Sequence, residues 1–212
     1  MTLPKGPNVL DPEVVQAIGR RAKRAIRARM RSLRLALPPS AHASRSAAVC
    51  ETVLATPEYA AARGLALFAP LASEVAILPI DAAARSQGRR VYYPFMDPKP
   101  GGYTTGFRRV DDFASLVDRG RGFLEPPGEL PVALRGDIDL VVVPALAVSA
   151  SGQRLGYGSG FYDATLPDVC PPAQALAVAF DFQLIGELPI EEHDVAVQVI
   201  VTDQRVLRLV PG

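Results

Sequence analysis

Residues 139–166 read DLVVVPALAVSASGQRLGYGSGFYDATL. The first part, DLVVVPALAVS (139–149), is apolar at consecutive positions, as in a core strand buried on both faces of a parallel sheet. The second, RLGYGSG, places glycine at 156, 158 and 160. The third, FYDATL, opens a brief helix carrying Asp163. A core strand, a glycine-rich turn and a helix start predict an α/β unit with its ligand beyond the carboxyl end of the strand. Glycines let backbone N–H groups turn toward a phosphate, and a helix N-terminus adds a favourable dipole. Asp163 just behind suits Mg²⁺, a hard cation that takes carboxylate and phosphate oxygens. On spacing alone, a flexible turn with a helix-capping aspartate fits as well.

Three familiar loops are excluded. A dinucleotide fingerprint GxGxxG needs glycine at 161, where Phe161 stands. A Walker loop needs Gly-Lys-Ser or Gly-Lys-Thr, and neither occurs. A nucleophile elbow centred on Ser159 needs glycines where Tyr157 and Phe161 stand.

On the N-terminal side, the first ten residues read as a loose lead. Asp11 before Pro12 is a strong helix start, and Pro38-Pro39 stops that helix near Leu37. Val15, Ile18, Ala22, Ile26, Leu33 and Leu37 form an apolar stripe at helical spacing. Arg20, Lys23, Arg24, Arg27, Arg31 and Arg34 form a basic stripe on roughly the opposite side. Ser40 is placed to cap a second helix ending near Thr56. LALFAPL (65–71) reads as a buried strand, ILPIDAAARSQG as a short helix closed by Gly88, and RVYYPF (90–95) as a strand. Residues 97–135 hold a hairpin around YTTGFRRV and an irregular excursion. ALAVAFD, VQVIVTD and a short RVLRLV supply the last strands. Strands alternating with helices predict an α/β, three-layer, Rossmann-like fold with a mainly parallel sheet and an N-terminal helical arm (11–37). No internal repeat or low-complexity tract is present.

The chain has 212 residues, which fits one domain over 1–212 and buries roughly 70% of the unfolded surface. Lysine plus arginine number 23 against 22 acids, a net charge of +1, so the whole molecule has no bias toward nucleic acid or membrane. Two cysteines, Cys50 and Cys170, make neither a disulfide framework nor a zinc spacing; small buried or half-buried thiols are expected. The start lacks the apolar core of a signal peptide, and LVVVPALAV is about half a membrane span, so a cytoplasmic protein is expected.

VVVPALAVSASGQRLGYGSGFYD resembles the signature of the 5-formyltetrahydrofolate cyclo-ligase (methenyltetrahydrofolate synthetase) family, a strand ending in proline followed by G-x-G-x-G-[YF]-Y-D. KRAIR (23–27) is similar to that family's N-terminal ATP-binding element. APLASEVAILPI is similar to its substrate segment, with Glu74 at the acidic position. GFLEPP (122–127) resembles a recurring Glu-Pro element, and LPIEEHDVAVQVIVTD resembles the C-terminal Pro…Glu-x-His-Asp…Val-Thr stretch. The five segments run in the family's order over residues 23–203. One departure stands out: the family usually has arginine directly after Tyr-Asp, and here it is Ala164. Reduced activity, substitution by another cation such as Arg154, and a divergent member are the readings this leaves open.

The resemblance implies ATP- and Mg²⁺-dependent closure of 5-formyltetrahydrofolate to 5,10-methenyltetrahydrofolate, with ADP and phosphate released. A formamide oxygen is a poor leaving group, and phosphorylation by ATP cures that. The protein's share is positioning and charge stabilisation. By resemblance, ATP falls to Lys23, Arg24, Arg27 and the run Arg154, Leu155, Gly156, Tyr157, Gly158, Ser159, Gly160, Phe161 and Tyr162. The reduced folate falls to Glu74 with Tyr157, Gly158, Ser159, Gly160 and Phe161, and Mg²⁺ to Asp163 and Asp194. No residue beyond these binding groups is assigned a catalytic role. Lys23 and Arg27, four apart, reach one point beside their helix. Tyr157 and Phe161 offer rings for the folate's flat rings. Against these stand plainer readings. The basic stripe is ordinarily a solvated surface, or a nucleic-acid face. His193 is a loop histidine, His42 a surface residue and Glu74 a helix cap; Glu125 is a weak candidate for closing a substrate loop. A non-catalytic folate or nucleotide binder is the alternative function. The expected partner is a small molecule, with no nucleic acid or membrane, and the expected state a monomer.

Overall fold

The computed structural model describes residues 11–209. The loose lead expected at the N-terminus falls outside these residues. Five helices are α1 (Pro12–Leu35), α2 (Pro39–Leu54), α3 (Pro57–Ala61), α4 (Leu78–Ser86) and α5 (Phe161–Val169). The strands are β1 (Gly64–Ala66), β2 (Arg90–Lys99), β3 (Gly102–Arg109), β4 (Val117–Asp118), β5 (Leu124–Glu125), β6 (Leu140–Pro144), β7 (Ala147–Ser149), β8 (Arg154–Leu155), β9 (Gln174–Val178), β10 (Leu184–Ile185), β11 (Val199–Val201) and β12 (Val206–Arg208).

Seven strands form the main sheet in the order β12-β11-β9-β6-β1-β2-β3. Its inner pairs are parallel, and β2–β3 and β11–β12 close the edges antiparallel. The fold is the mixed α/β architecture the sequence predicts. The chain runs outward from β1 to β2 and β3, then returns to lay β6 on the other side of β1. The β1/β6 boundary is therefore the switch point, where open α/β sheets hold ligands.

Side chains alternate faces with the period of a strand. Leu140 and Val142 of β6, Leu176 and Val178 of β9, and Val199 and Val201 of β11 join the core under α2 and α4. Val141 and Val143, Ala175 and Ala177, and Ile200 join the core under α5 with Phe161, Leu166 and Val169. Each large apolar side chain buried this way contributes about 1.5–3 kcal/mol. At Gly64 a Cβ would stand 1.9 Å from the carbonyl oxygen of Asp137. Asp139 Oδ2 accepts from the N–H groups of Arg63 and Gly64 at 2.8 Å, fixing β1 beside β6.

The structure corrects four expectations. Of LALFAPL only Leu65 and Ala66 are strand, in β1 (Gly64–Ala66), after which the chain turns off at the sheet's carboxyl edge. Residues 139–149 are two strands: Pro144, with no N–H to continue a ladder, ends β6. β7 then joins a separate three-stranded sheet, β10-β7-β8. α2 starts at Pro39 with Pro38 as its cap residue, so Ser40 lies inside it.

The fourth correction concerns α1. Asp11 caps it as expected, its side chain accepting from Glu13 N–H. The buried positions are Lys23, Met30 and Arg34. Val15, Ile18 and Leu33 of the expected stripe are exposed. What α1 packs against is a polar wall of loop carbonyls and carboxylates around a small apolar patch: Met30 and Ile26 meet Leu146, Ala147, Leu155 and Leu188. Lys23, Arg27 and Arg34, at i, i+4 and i+11, face that wall and turn inward, splitting the basic stripe.

Candidate active site

Two cavities open at the carboxyl ends of β1 and β6, sharing Pro144, Tyr157, Ser159, Phe161 and Tyr162 as walls. The first, about 220 Å³, lies between α1, the glycine loop and residues 191–194. The second, about 330 Å³, is more apolar and is reached from Phe68, Ala69, Pro94, Met96 and Phe123, with Glu74 in its lining.

The first cavity begins with the glycines. Gly158 has φ +106° and Gly160 +70°, in the region that favours glycine, and Gly160 caps α5. A Cβ at Gly158 would meet the Arg27 guanidinium carbon at 3.6 Å. Arg27 Nε donates to the carbonyl of Gly156 at 2.9 Å, so α1 holds the loop from outside. Lys23 is 5% exposed, and its Nζ donates to Glu191 Oε2 and Asp194 Oδ2, both at 2.6 Å. Burial draws its pKa down, but the hydrogen bonds to Asp194 and Glu191 outweigh this and hold it above the ordinary lysine range. Arg154, 8% exposed, donates to Asp163 Oδ1 at 2.7 Å, and its Nε is buried with no hydrogen-bond partner. Burial lowers the Arg154 pKa, offset in part by Asp163. Val195 N–H reaches the same Asp163 oxygen at 3.3 Å, which brings Asp163 and the 191–194 turn onto one wall. The oxygens and ring nitrogen of Glu191, His193 and Asp194 lie within 4.8 Å of one another.

In the second cavity Glu74 is 5% exposed and accepts from Leu71 N–H at 2.9 Å. Burial pushes its carboxyl above the usual range, against the pull of that N–H, Arg34 and the Tyr157 hydroxyl. Tyr162 carries Arg154 over its ring at 5.2 Å and Phe161 edge-on at 4.9 Å. Burial raises the Tyr162 hydroxyl pKa strongly, so it stays a donor at neutral pH.

Most of the sequence-predicted site residues line these two cavities. Lys23, Arg27, residues 154–162, Asp163 and Asp194 line the first, and Glu74 the second. Arg24 is exposed on the outer side of α1 and lines neither. Phe161 is largely a core residue, edge-on to Phe107 at 5.8 Å, so it offers only a rim to a ligand. Glu74 does not cap a helix. His42 is not a surface residue: its Nε2 lies 2.7 Å from the Glu74 carbonyl oxygen. Glu125, fully buried, accepts from Met96 N–H and pairs with Arg121, which lines the second cavity. Ala164 is exposed and lines neither cavity. Two contributors went unassigned from sequence. Glu191 was signalled by the Glu-x-His-Asp spacing; Arg34 was hidden among the other basic residues of α1.

The model of the 5-formyltetrahydrofolate cyclo-ligase family matches residues 20–203. The 5-formyltetrahydrofolate cyclo-ligase of Escherichia coli K12 is 29% identical over 84% of this chain and 98% of its own length. A stretch of 92 residues is 47% identical to the cyclo-ligase of Mycolicibacterium smegmatis, spanning 43% of this chain and 47% of that relative. The solution structure of Aquifex aeolicus 5,10-methenyltetrahydrofolate synthetase superposes with a TM-score of 0.76 at 29% identity, covering 90% of this chain and 94% of that one. The Mycoplasma pneumoniae synthetase, at 20% identity and a TM-score of 0.67, shares the fold. With 184 consecutive residues matched (20–203) and both cavities built from the matched segments, the chain belongs to the 5-formyltetrahydrofolate cyclo-ligase family of enzymes.

Proposed function

We propose that the protein closes 5-formyltetrahydrofolate to 5,10-methenyltetrahydrofolate at the expense of ATP, releasing ADP and phosphate. The observation that carries this is the buried Arg154: a guanidinium in the wall of the glycine-loop cavity with an unpartnered Nε is costly unless an anion completes it. The triphosphate lies in the first cavity, the folate in the second, and the shared wall at Tyr157 and Ser159 is where they meet. The formyl oxygen attacks the terminal phosphorus, an O–P bond forms and ADP leaves. Nitrogen-10 then attacks the formyl carbon, the C–O bond breaks with departure of phosphate, and nitrogen-10 gives up its proton.

Each chain group has a task. The N–H groups of residues 156–160 and the start of α5 receive phosphate oxygens. Lys23, Arg27 and Arg154 neutralise the triphosphate, and the first and last of these are kept poised by carboxylates until it arrives. Glu74 accepts from the pterin's N–H groups. Asp163 and Asp194 are hard oxygen donors whose chemistry fits Mg²⁺, and Asp194 stands in one cluster with Glu191 and His193. Bound there, Mg²⁺ would supply charge neutralisation of the transferring phosphoryl group. The protein acts as a single domain, as a monomer, in the cytoplasm, on a small reduced folate, without nucleic acid or membrane. Among the described residues no helix is long and apolar enough to cross a membrane.

The test is optical. Mixing protein, ATP, Mg²⁺ and 5-formyltetrahydrofolate produces growing near-ultraviolet absorbance from the methenyl product, and chelation of the metal stops it. Asp163→Asn stays folded and loses Mg²⁺-dependent turnover. Folate binding without absorbance change or ATP consumption sinks the catalytic reading and leaves a binder.

A further inference from the structure

α1 reaches past the first cavity. Two turns beyond Arg27, Arg34 is a guanidinium only 3% exposed. Its Nη2 donates to Ser73 Oγ at 2.8 Å and to the Tyr157 hydroxyl at 2.5 Å, and its guanidinium carbon lies over the Tyr157 ring, 5.6 Å from the centroid. A phenol has one proton and two lone pairs. With a lone pair engaged by Arg34, the proton is left free to turn toward Glu74, which lines the same cavity. Glu74 and Tyr157 both line the second cavity, whereas Arg34 stands behind them.

We propose that Arg34 is a positioning residue for ligand recognition in the second cavity, holding the Tyr157 hydroxyl against Glu74 and supplying the positive charge that lets a bare carboxylate face the pocket. The proposal rests on the reading of that pocket as the folate site. A pterin presents a ring N–H beside an exocyclic amine, two donors that call for two acceptor oxygens. A protonated Glu74 would turn a donor toward them. A carboxylate this buried is expensive without a partner charge. The groups that face it are Arg34 from α1, Tyr157 from the glycine loop, Tyr162 from α5 and, through the Glu74 backbone, His42 from α2. Arg121, in the lining of the same cavity, is committed to Glu125. Burial drives the Glu74 carboxyl upward, and Arg34 is one of the groups pulling it back. Taking Arg34 away therefore extends the protonated form of Glu74 to higher pH.

The experiment is equilibrium binding of 5-formyltetrahydrofolate by calorimetry, without nucleotide, across about pH 5.5 to 8.5, a window chosen around neutrality. Wild type, Arg34→Met, Arg34→Lys and Tyr157→Phe are compared. Arg34→Met binds about tenfold or more weakly at neutral pH, the scale of a lost charge-assisted hydrogen bond, and recovers part of that affinity as pH rises. Arg34→Lys restores the wild-type pH profile without restoring full affinity, and Tyr157→Phe shifts the profile in the direction of Arg34→Met. Wild-type affinity in Arg34→Met, or a loss by the same factor at every pH, overturns the proposal while the folate reading stands. If Arg34→Met does not fold, a Tyr157→Phe profile superposable on wild type overturns it. Absence of wild-type binding overturns the folate reading and this proposal with it.

Discussion

Gly158 concentrates the demands of the site on one residue. Its φ of +106° excludes an ordinary side chain, and the space a Cβ would fill borders the Arg27 guanidinium. Gly158→Ala strains the backbone by about 1–2 kcal/mol. The strain falls on the loop rather than the core. The expected outcome is weaker ATP binding by about tenfold with a thermal midpoint lowered by only a few degrees, read by calorimetry and by a melting curve. Gly64 makes the opposite contrast. Its Cβ would collide with a backbone oxygen between β1 and the approach to β6, so Gly64→Ala lowers stability by about 3 kcal/mol or more, visible as a reduced denaturant midpoint. The glycines at 158 and 160 were legible as a turn that side chains do not tolerate because backbone conformation writes itself into residue choice. Gly64 was not, since its constraint comes from Asp137, far along the chain.

At the scale of elements, α1 is the one whose reading needed the structure. Its limits were plain in Asp11-Pro12 and Pro38-Pro39. Its buried face was not, because periodicity arguments assume an apolar partner, and here the partner is loop carbonyls and carboxylates. The test is a pair of substitutions. Ile18→Ser, on the exposed side, changes stability by no more than about 0.5 kcal/mol, whereas Met30→Ala costs about 2–4 kcal/mol, both by chemical denaturation. The division of residues 139–149 into β6 and β7 has a similar lesson. Continuous apolar character marked the stretch as core. The break turned on one missing N–H at Pro144 and on strands elsewhere that the local sequence does not name.

Across the whole molecule, ion pairs outside the cavity linings tie the periphery down. Glu58 of α3 pairs with Arg208 of β12, and its hydrogen bond to Arg208 holds it below the usual carboxylate range. Asp97, at the far end of β2, is raised by burial but more than offset by hydrogen bonds from Arg108 and Arg119, so it too lies low. A carboxylate depressed in the folded state adds stability above its unfolded pKa and loses it as pH falls through the folded value. Stability is therefore expected to fall below about pH 4, and Asp97→Asn or Glu58→Gln flattens that slope in a series of denaturation curves. The order of motifs along the chain announced the architecture, since strand, glycine turn and helix recur only in a few topologies. Which carboxylate met which cation depended on closure of the whole sheet.

Lys23 and its two acidic partners are separated by 168 and 171 positions. A ribosome adding about 5–20 residues per second finishes the opening helix well before it has made Glu191. Until those residues emerge the ammonium lacks the two carboxylates it meets in the fold, and the first cavity acquires that wall only once they have been made. A nascent chain stalled before residue 190 should slip through an ATP-agarose column that retains the finished polypeptide.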